Sequence, residues 1–450
     1  MGRRGLMRRT LLALAGVSTL LGAGCGQVQP SSSAAAPSPA SSSSTPSASH
    51  TTASASSSPA GCPTADRPPA GPSVRLRQVG STTDGRPIRA AVYPRPDYPG
   101  TLWTQWGQGV LLPDGRLLSA LGDHGLIDAN SFLFVYDPTT GTLTRFADVN
   151  SVVGHRAGEI GYGKVHAQMV RVGCQVVLGT FWGTRKGLAY GSGYTGDHLL
   201  AVSSELAVRD LGVPVPEHGV PSLAGFGDLI YGEATDPRGR AGQSADVGAF
   251  FVFDLSTGKV TFRSDDQSHT GFRAMAVTGS GQALVARGDR GLLSYTPGGV
   301  LQPSPSQLSA GWLRAATQPA PDGTVYLVTR QPERYLAVRA SGRIDDLGPA
   351  SGYITSAALA SSGNEFYVVP DAHGLAWRRQ APLLAVDVHT GAERVVANLG
   401  PMVEQHLGLV LGGSYNVVVS ADGTRVMVGF NAGATTDNPW GEVVLVEVPV

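Results

Sequence analysis

Three stretches of this chain are near copies of one another: Phe-Val-Tyr-Asp-Pro-Thr-Thr-Gly from Phe134 to Gly141, Phe-Val-Phe-Asp-Leu-Ser-Thr-Gly from Phe251 to Gly258, and Leu-Ala-Val-Asp-Val-His-Thr-Gly from Leu384 to Gly391. Each is an alternating apolar strand that runs into an Asp-x-x-Thr-Gly turn, and a second strand follows each turn (Thr142–Phe146, Lys259–Phe262, Ala392–Val396). In such a turn the Asp carboxylate accepts backbone amides and the Gly supplies the positive φ that reverses the chain. A fixed repeat of hairpins restricts the chain to repeat architectures in which each unit buries its apolar face against the next.

The repeat extends beyond the three clear copies. Upstream of each hairpin the sequence shows a strand of small residues, a Gly/Asp turn and an apolar strand. Seven inner strands can be placed: Gln108–Leu112, His166–Val172, Val220–Phe226, Arg273–Val277, Arg314–Thr317, Ser356–Ala360 and Asn416–Ser420. Their spacing is that of a four-stranded propeller blade with loop insertions. The last unit ends on Val443–Val450, one strand short, and Val74–Val79 is the expected fourth strand that closes the ring. The fold class expected is therefore all-β: a seven-bladed β-propeller of four-stranded antiparallel blades, spanning 65–450 and closed by pairing the N-terminal strand with the C-terminal blade. Composition agrees, with 60 Gly and 31 Pro in 450 residues and only 15% charged residues. Long helices are not expected.

Here the chain resembles the broad superfamily of quinoprotein-like and surface-layer-like (YVTN) repeat propellers. The motifs that carry the resemblance are Asp-x-x-Thr-Gly and the turns Pro113-Asp114-Gly115, Pro321-Asp322-Gly323 and Ala421-Asp422-Gly423. Quinoprotein dehydrogenase blades place a Trp shortly after Asp-x-x-Thr-Gly, and none of the three copies has one. The resemblance therefore implies a propeller without a bound quinone, and no cofactor is expected.

The first 25 residues look like an export address. Arg3, Arg4, Arg8 and Arg9 form a basic region, Leu11 to Leu21 an apolar one, and Gly22-Ala23-Gly24-Cys25 resembles the lipobox of bacterial lipoproteins, which implies lipidation of Cys25. Arg8-Arg9-Thr10-Leu11-Leu12 also resembles a twin-arginine export signal. Residues 26–64 are almost entirely Ser, Ala, Pro and Thr and cannot form a core, so they read as a disordered tether with a span of roughly 30–36 Å. The expected location is the extracytoplasmic face of the cell membrane, with the lipid as the only membrane contact. Cys62 and Cys174 are then an even pair in an oxidising compartment, open to disulfide formation or to a pair of free thiols.

Lys+Arg and Asp+Glu balance at 34 each, so no global field draws nucleic acid, and a monomer is expected. Chemistry in a propeller gathers where the inner strands begin. Those starts are Gln108, His166, Ser222, Arg273, Arg314, Ser356 and Asn416. None is acidic, so the ring suits a carboxylate or phosphate, with Arg273 and Arg314 expected to clamp it. Trp182 and Arg185 extend the expected ligand site. The six Trp residues are otherwise expected to pack the blades, and the Arg287-Gly288-Asp289-Arg290 stretch to hold an ion pair. No nucleophile elbow, phosphate loop or zinc spacing appears. The expected function is binding of a cell-envelope glycan or protein at the channel mouth. The alternatives are a lyase or hydrolase of acidic polysaccharide, with His166, Tyr190 and Tyr194 as candidate catalytic residues, and a quinoprotein-like oxidoreductase.

Overall fold

A computed structural model describes residues 61–63, 69–100, 102–123, 125, 127–183, 193–236, 248–264, 273–287, 291–308 and 312–450. Cys25, the tether up to residue 60, Arg185 and Tyr190 lie outside the described residues.

Seven antiparallel sheets make up these residues, five of four strands and two of five. The innermost strands, in chain order, are Val110–Leu111, Val170–Val172, Gly219–Phe226, Ala276–Val277, Trp312–Ala316, Ala357–Leu359 and Val410–Val419. They define blades 1 to 7, and every one overlaps its expected stretch. The molecule is a seven-bladed β-propeller.

The three signature turns form as their chemistry requires. Asp137 Oδ1 accepts from the Thr139 amide at 2.8 Å, Asp254 Oδ1 from the Ser256 amide at 2.8 Å, and Asp387 Oδ1 from the His389 and Thr390 amides at 2.9 and 2.8 Å. In each, the Gly amide reaches back to the Asp carbonyl, at φ of 67°, 68° and 69° for Gly141, Gly258 and Gly391.

Alternation along each strand sends its two sets of side chains to two neighbours, so blades are apolar on both faces. In Leu117–Gly122 all residues are buried. Among the described residues the apolar side chains fall into seven clusters, each filling one junction between adjacent blades. Leu118, Leu133, Val176 and Leu200 pack blade 1 on blade 2, for example, and Tyr231, Phe250, Val285 and Tyr295 pack blade 3 on blade 4.

Closure uses a different N-terminal segment from the expected one. Pro87–Val92, not Val74–Val79, pairs with Glu442–Pro449, with Ala90 opposite Val446. Arg77–Ser81 adds a fifth strand outside it, and Ser73–Arg75 crosses to the outer strand of blade 1. A hairpin turn explains the shift: the Gly85 amide bonds the Thr82 carbonyl at 2.9 Å with Gly85 at φ 83°, folding the two segments together. Ile88 and Ala90 enter the junction between blades 6 and 7, and Val79 of the fifth strand packs into the same cluster. Buried Glu447 locks the seam, accepting from Tyr136 Oη at 2.6 Å and from Arg89 Nη1 at 3.2 Å.

One feature was not visible in the sequence pattern, and one open alternative is decided. A nine-residue helix, Leu399–Leu407, links blades 6 and 7 and packs Met402 over the N-terminal strands. Cys62 and Cys174 are joined by a disulfide, which ties the start of the globular part to the turn between the first two strands of blade 2.

Candidate functional site

Loops that lead into inner strands and loops between second and third strands open on one face, and there the chain gathers aromatic and cationic side chains. From the entry loops come Trp106, Lys164 and Tyr353; Arg330 ends the second strand of blade 5, and His373 and Trp440 come from the loops after the second strands of blades 6 and 7; Tyr415 lies on the inner strand of blade 7.

These rings touch one another. Trp106 lies 4.9 Å from Tyr415 between centroids, 5.6 Å from His373, and stacks on Trp440 at 5.8 Å and 14°. Tyr353 stacks on His373 at 5.3 Å and 9°. Cations cover the same rings: Arg330 sits 4.4 Å from the Tyr353 centroid, Arg314 5.1 Å from it, Lys164 5.3 Å from Trp106, and Arg273 4.5 Å from Tyr415. Trp106, Trp440 and Tyr353 are half-buried, while His373 is exposed. A ligand therefore meets flat ring surface with positive charge beside and below it.

The environment sets the protonation of the histidines. Desolvation by the surrounding rings, then the charges of Arg314, Arg273, Arg330 and Lys164, hold His373 down at about 4. It is neutral at pH 7. His166 is pushed well below its ordinary value by burial and then by Arg273; its Nδ1 lies 3.0 Å from the Pro221 carbonyl and its ring stacks on Phe181 at 4.9 Å.

Four non-glycine residues around this mouth have left-handed backbones: Arg273 at φ 106°, Gln331 at 61°, Asp371 at 61° and His373 at 67°. Such conformations are costly and persist only where neighbours over-determine them, which is common at binding loops.

The expected inner-strand ring divides into two sets. Gln108, 8% exposed, donates through Nε2 to the Ala357 and Val417 carbonyls at 3.0 Å each, strapping blade 1 to blades 6 and 7. Asn416 accepts the Gly109 amide at 2.9 Å. Ser222 donates to Glu233 at 2.5 Å, and Glu233 pairs with Arg287 of the next blade, both side chains buried. These residues fasten blades together. The Arg287 ion pair thus forms with Glu233, while 288–290 lie outside the described residues.

Arg273 and Arg314 lie beneath the aromatic layer and not on it. Arg273 is 4% exposed; its Nε donates to the Thr355 carbonyl at 2.9 Å and its Nη2 lies 3.5 Å from the Tyr415 carbonyl. Arg314 donates to the Tyr353 hydroxyl. With their forks oriented this way, they set the charge of the floor and do not form the expected two-pronged clamp on a carboxylate. Trp182 is 2% exposed and packs on Phe181.

Tyr194 is buried between blades 1 and 2, where its hydroxyl donates to Asp197 at 2.5 Å and Thr180 donates to the other carboxylate oxygen at 2.9 Å. Burial pushes Asp197 up to about 7. Its raised value means that its contribution to stability is full below the ordinary carboxylate range, near pH 4, and is lost as pH rises through about 7. Asp197→Asn should flatten the stability profile between pH 4 and 7, as read by urea midpoints; an unchanged slope would place the titration elsewhere.

The residues that define the mouth, Trp106, Lys164, Tyr353, Tyr415 and Trp440, were missed as a set. Four of the five sit in loops, where no periodicity reports orientation. One signal was available: Thr104-Gln105-Trp106-Gly107-Gln108 and Lys164-Val165-His166-Ala167-Gln168 occupy matching positions, since Thr104 bridges Gly122 and Lys164 bridges Phe181. Among the described residues no cluster of three or more His, Cys, Asp or Glu could hold a metal ion.

This geometry defines a seven-bladed propeller with an aromatic, cationic mouth. No family model matches the chain, and no curated protein does. A solved structure titled "Crystal Structure of Mitotic Checkpoint Complex" contains a similar chain, with a TM-score of 0.51, 11% identity, and coverage of 80% of this chain and 94% of that one. The WD40 β-propeller domain of Doa1 is also similar, at a TM-score of 0.48 and 11% identity over 79% of this chain and 95% of that one. The first likeness supports the fold and nothing further.

Proposed function

We propose that this protein is an extracytoplasmic, lipid-anchored binding propeller whose mouth takes an acidic glycan of the cell envelope. The observation that carries the reading is the layered mouth. Stacked Trp106 and Trp440, and Tyr353 on His373, present faces suited to the apolar side of a sugar ring, while Arg330 and Lys164 beside them suit its carboxylate. The export-like N-terminus with Cys25 supports the location. Nothing among the described residues favours a lyase or hydrolase, because the Tyr194 hydroxyl is engaged by Asp197 and His166 faces a carbonyl.

The test is titration calorimetry with uronate-containing oligosaccharides and their neutral, reduced analogues. Only the acidic series should bind, and Arg330→Ala with Trp106→Ala should weaken it by tenfold or more, about 1.4 kcal/mol. Equal binding of neutral sugars would refute the charge reading, and binding of acidic peptides in place of sugars would move the assignment to a protein partner. In the native host, Cys25→Ser should shift the protein out of the membrane fraction; retention there would overturn the anchor.

A further inference from the structure

Of the eight described non-glycine residues with positive φ, four lie in the loop between the second and third strands of blade 6: Asp371 at 61°, His373 at 67°, Gln380 at 66° and Ala381 at 47°. Arg379 holds this shape. Its Nε pairs with Asp371 Oδ2 at 2.7 Å and its Nη2 donates to the Ser351 carbonyl, while the Ala372 amide donates to the Tyr353 carbonyl at 2.9 Å and the Ala381 amide to the Ala376 carbonyl at 2.7 Å. The strained loop brings two indoles to one residue, Gly374. A Cβ on Gly374 would lie 3.2 Å from Trp440 Nε1 and 3.4 Å from Pro439 Cγ, and its φ of 85° is equally a glycine conformation. The Trp377 Nε1 donates to the Gly374 carbonyl at 3.0 Å. Trp377 is half-buried, with the Arg378 guanidinium 5.6 Å from its centroid, and both Arg378 and its neighbour Leu375 are exposed.

We infer that Trp377 and Arg378 form a second saccharide platform beside the mouth, so that the ligand is a chain of acidic sugar units and not a single one. This platform rests on the acidic-glycan reading of the mouth and extends it. The chemistry is that of the mouth repeated: Lys164 lies 5.3 Å from Trp106, Arg330 4.4 Å from Tyr353 and Arg378 5.6 Å from Trp377, each a ring with a cation against it. One such pair suits one uronate unit, the ring covering an apolar sugar face and the cation meeting the carboxylate. The path between the pairs is continuous, since Trp106 stacks on Trp440 at 5.8 Å, Trp440 meets Gly374, and Gly374 holds Trp377. Arg378 is available to a ligand. Its neighbour Arg379 is committed to Asp371, whereas among the described residues no carboxylate pairs with Arg378. The hydrogen bond to Gly374 fixes the Trp377 ring before a ligand arrives, which lowers the ordering cost of binding.

Calorimetric titration of the intact protein with oligogalacturonates, oligomannuronates and hyaluronate fragments, each as a length series up to the hexamer, tests the platform. In the series that binds, affinity should rise about tenfold or more from the shortest bound chain to the hexamer, because the second contact of a tethered chain is intramolecular. Trp377→Ala should weaken the hexamer about tenfold and Arg378→Gln about threefold, with the shortest chain changed by less than about twofold in both. Trp377→Phe should recover part of the loss. Trp106→Ala, by contrast, should weaken every length. Arg378 is exposed, so its variant should melt with the parent and report binding alone. Affinity independent of length, or a hexamer indifferent to both Trp377→Ala and Arg378→Gln, would overturn the platform and leave the mouth reading standing. Failure of all three series to bind would refute the mouth reading, and the platform with it.

Discussion

Glu233→Ala should destabilise the protein by about 3–5 kcal/mol, the usual cost of removing one partner from a buried ion pair. Glu233 and Arg287 are side chains with 1% and 0% exposure that join blade 3 to blade 4, and the Ser222 hydroxyl donates to the second carboxylate oxygen. Alanine removes the carboxylate, leaves a buried guanidinium without this counter-charge and strands the Ser222 donor. Glu233→Leu combined with Arg287→Met should recover most of the loss, because a well-packed apolar pair of similar volume replaces a buried ionic one at little net cost. Chemical denaturation with a fixed m-value reads both. A loss below about 1 kcal/mol for Glu233→Ala would show that Arg287 is compensated by other groups, and the pair would then matter for register more than for stability.

The second large effect belongs to the seam. Ala90→Asp introduces a carboxylate where Ala90 has no exposed surface, between Val446 and the apolar cluster of blades 6 and 7. A carboxyl group in such a place is held neutral, with a shift of about 3–4 units, which at 1.36 kcal/mol per unit is a penalty of about 4–5 kcal/mol. The sign follows from linkage. The folded-state value is raised to about 7–8, so the penalty is full only above that range, is already large at pH 7 and shrinks as pH falls towards 4. Loss of closure would also expose the edge of Glu442–Pro449, a strand with six buried residues in a row, and size-exclusion chromatography should then show association. A variant that remains monomeric and melts like the parent at pH 7 would mean that Pro87–Val92 is not what holds the ring shut.

Much of this fold was legible because blade chemistry is local. Asp137, Asp254 and Asp387 announce hairpins through their spacing to Gly, and two-residue alternation marks the strands between. The closing strand was misplaced because both N-terminal segments alternate, and only the Asp84-Gly85 turn between them shows that they form a hairpin with Pro87–Val92 on the inside. The site was harder. Its position at the inner-strand starts could be read from topology, but Gln108 and Asn416 turned inward to tie blades, and Arg273 turned beneath Tyr415. Which way a polar side chain at a strand end points depends on carbonyls from other blades, such as Ala357, Val417 and Thr355, and these are distant in sequence.

The disulfide has a mechanical meaning. Cys174 sits in the turn between the first two strands of blade 2, on the face opposite the mouth, and Cys62 is covalently joined to it. A pull on the chain before Cys62 is therefore transmitted through sulfur into the middle of the ring and bypasses the hydrogen-bonded seam at blade 7. The load enters blade 2 on the face opposite the mouth and spares the seam inside blade 7, where two strands meet by hydrogen bonds alone.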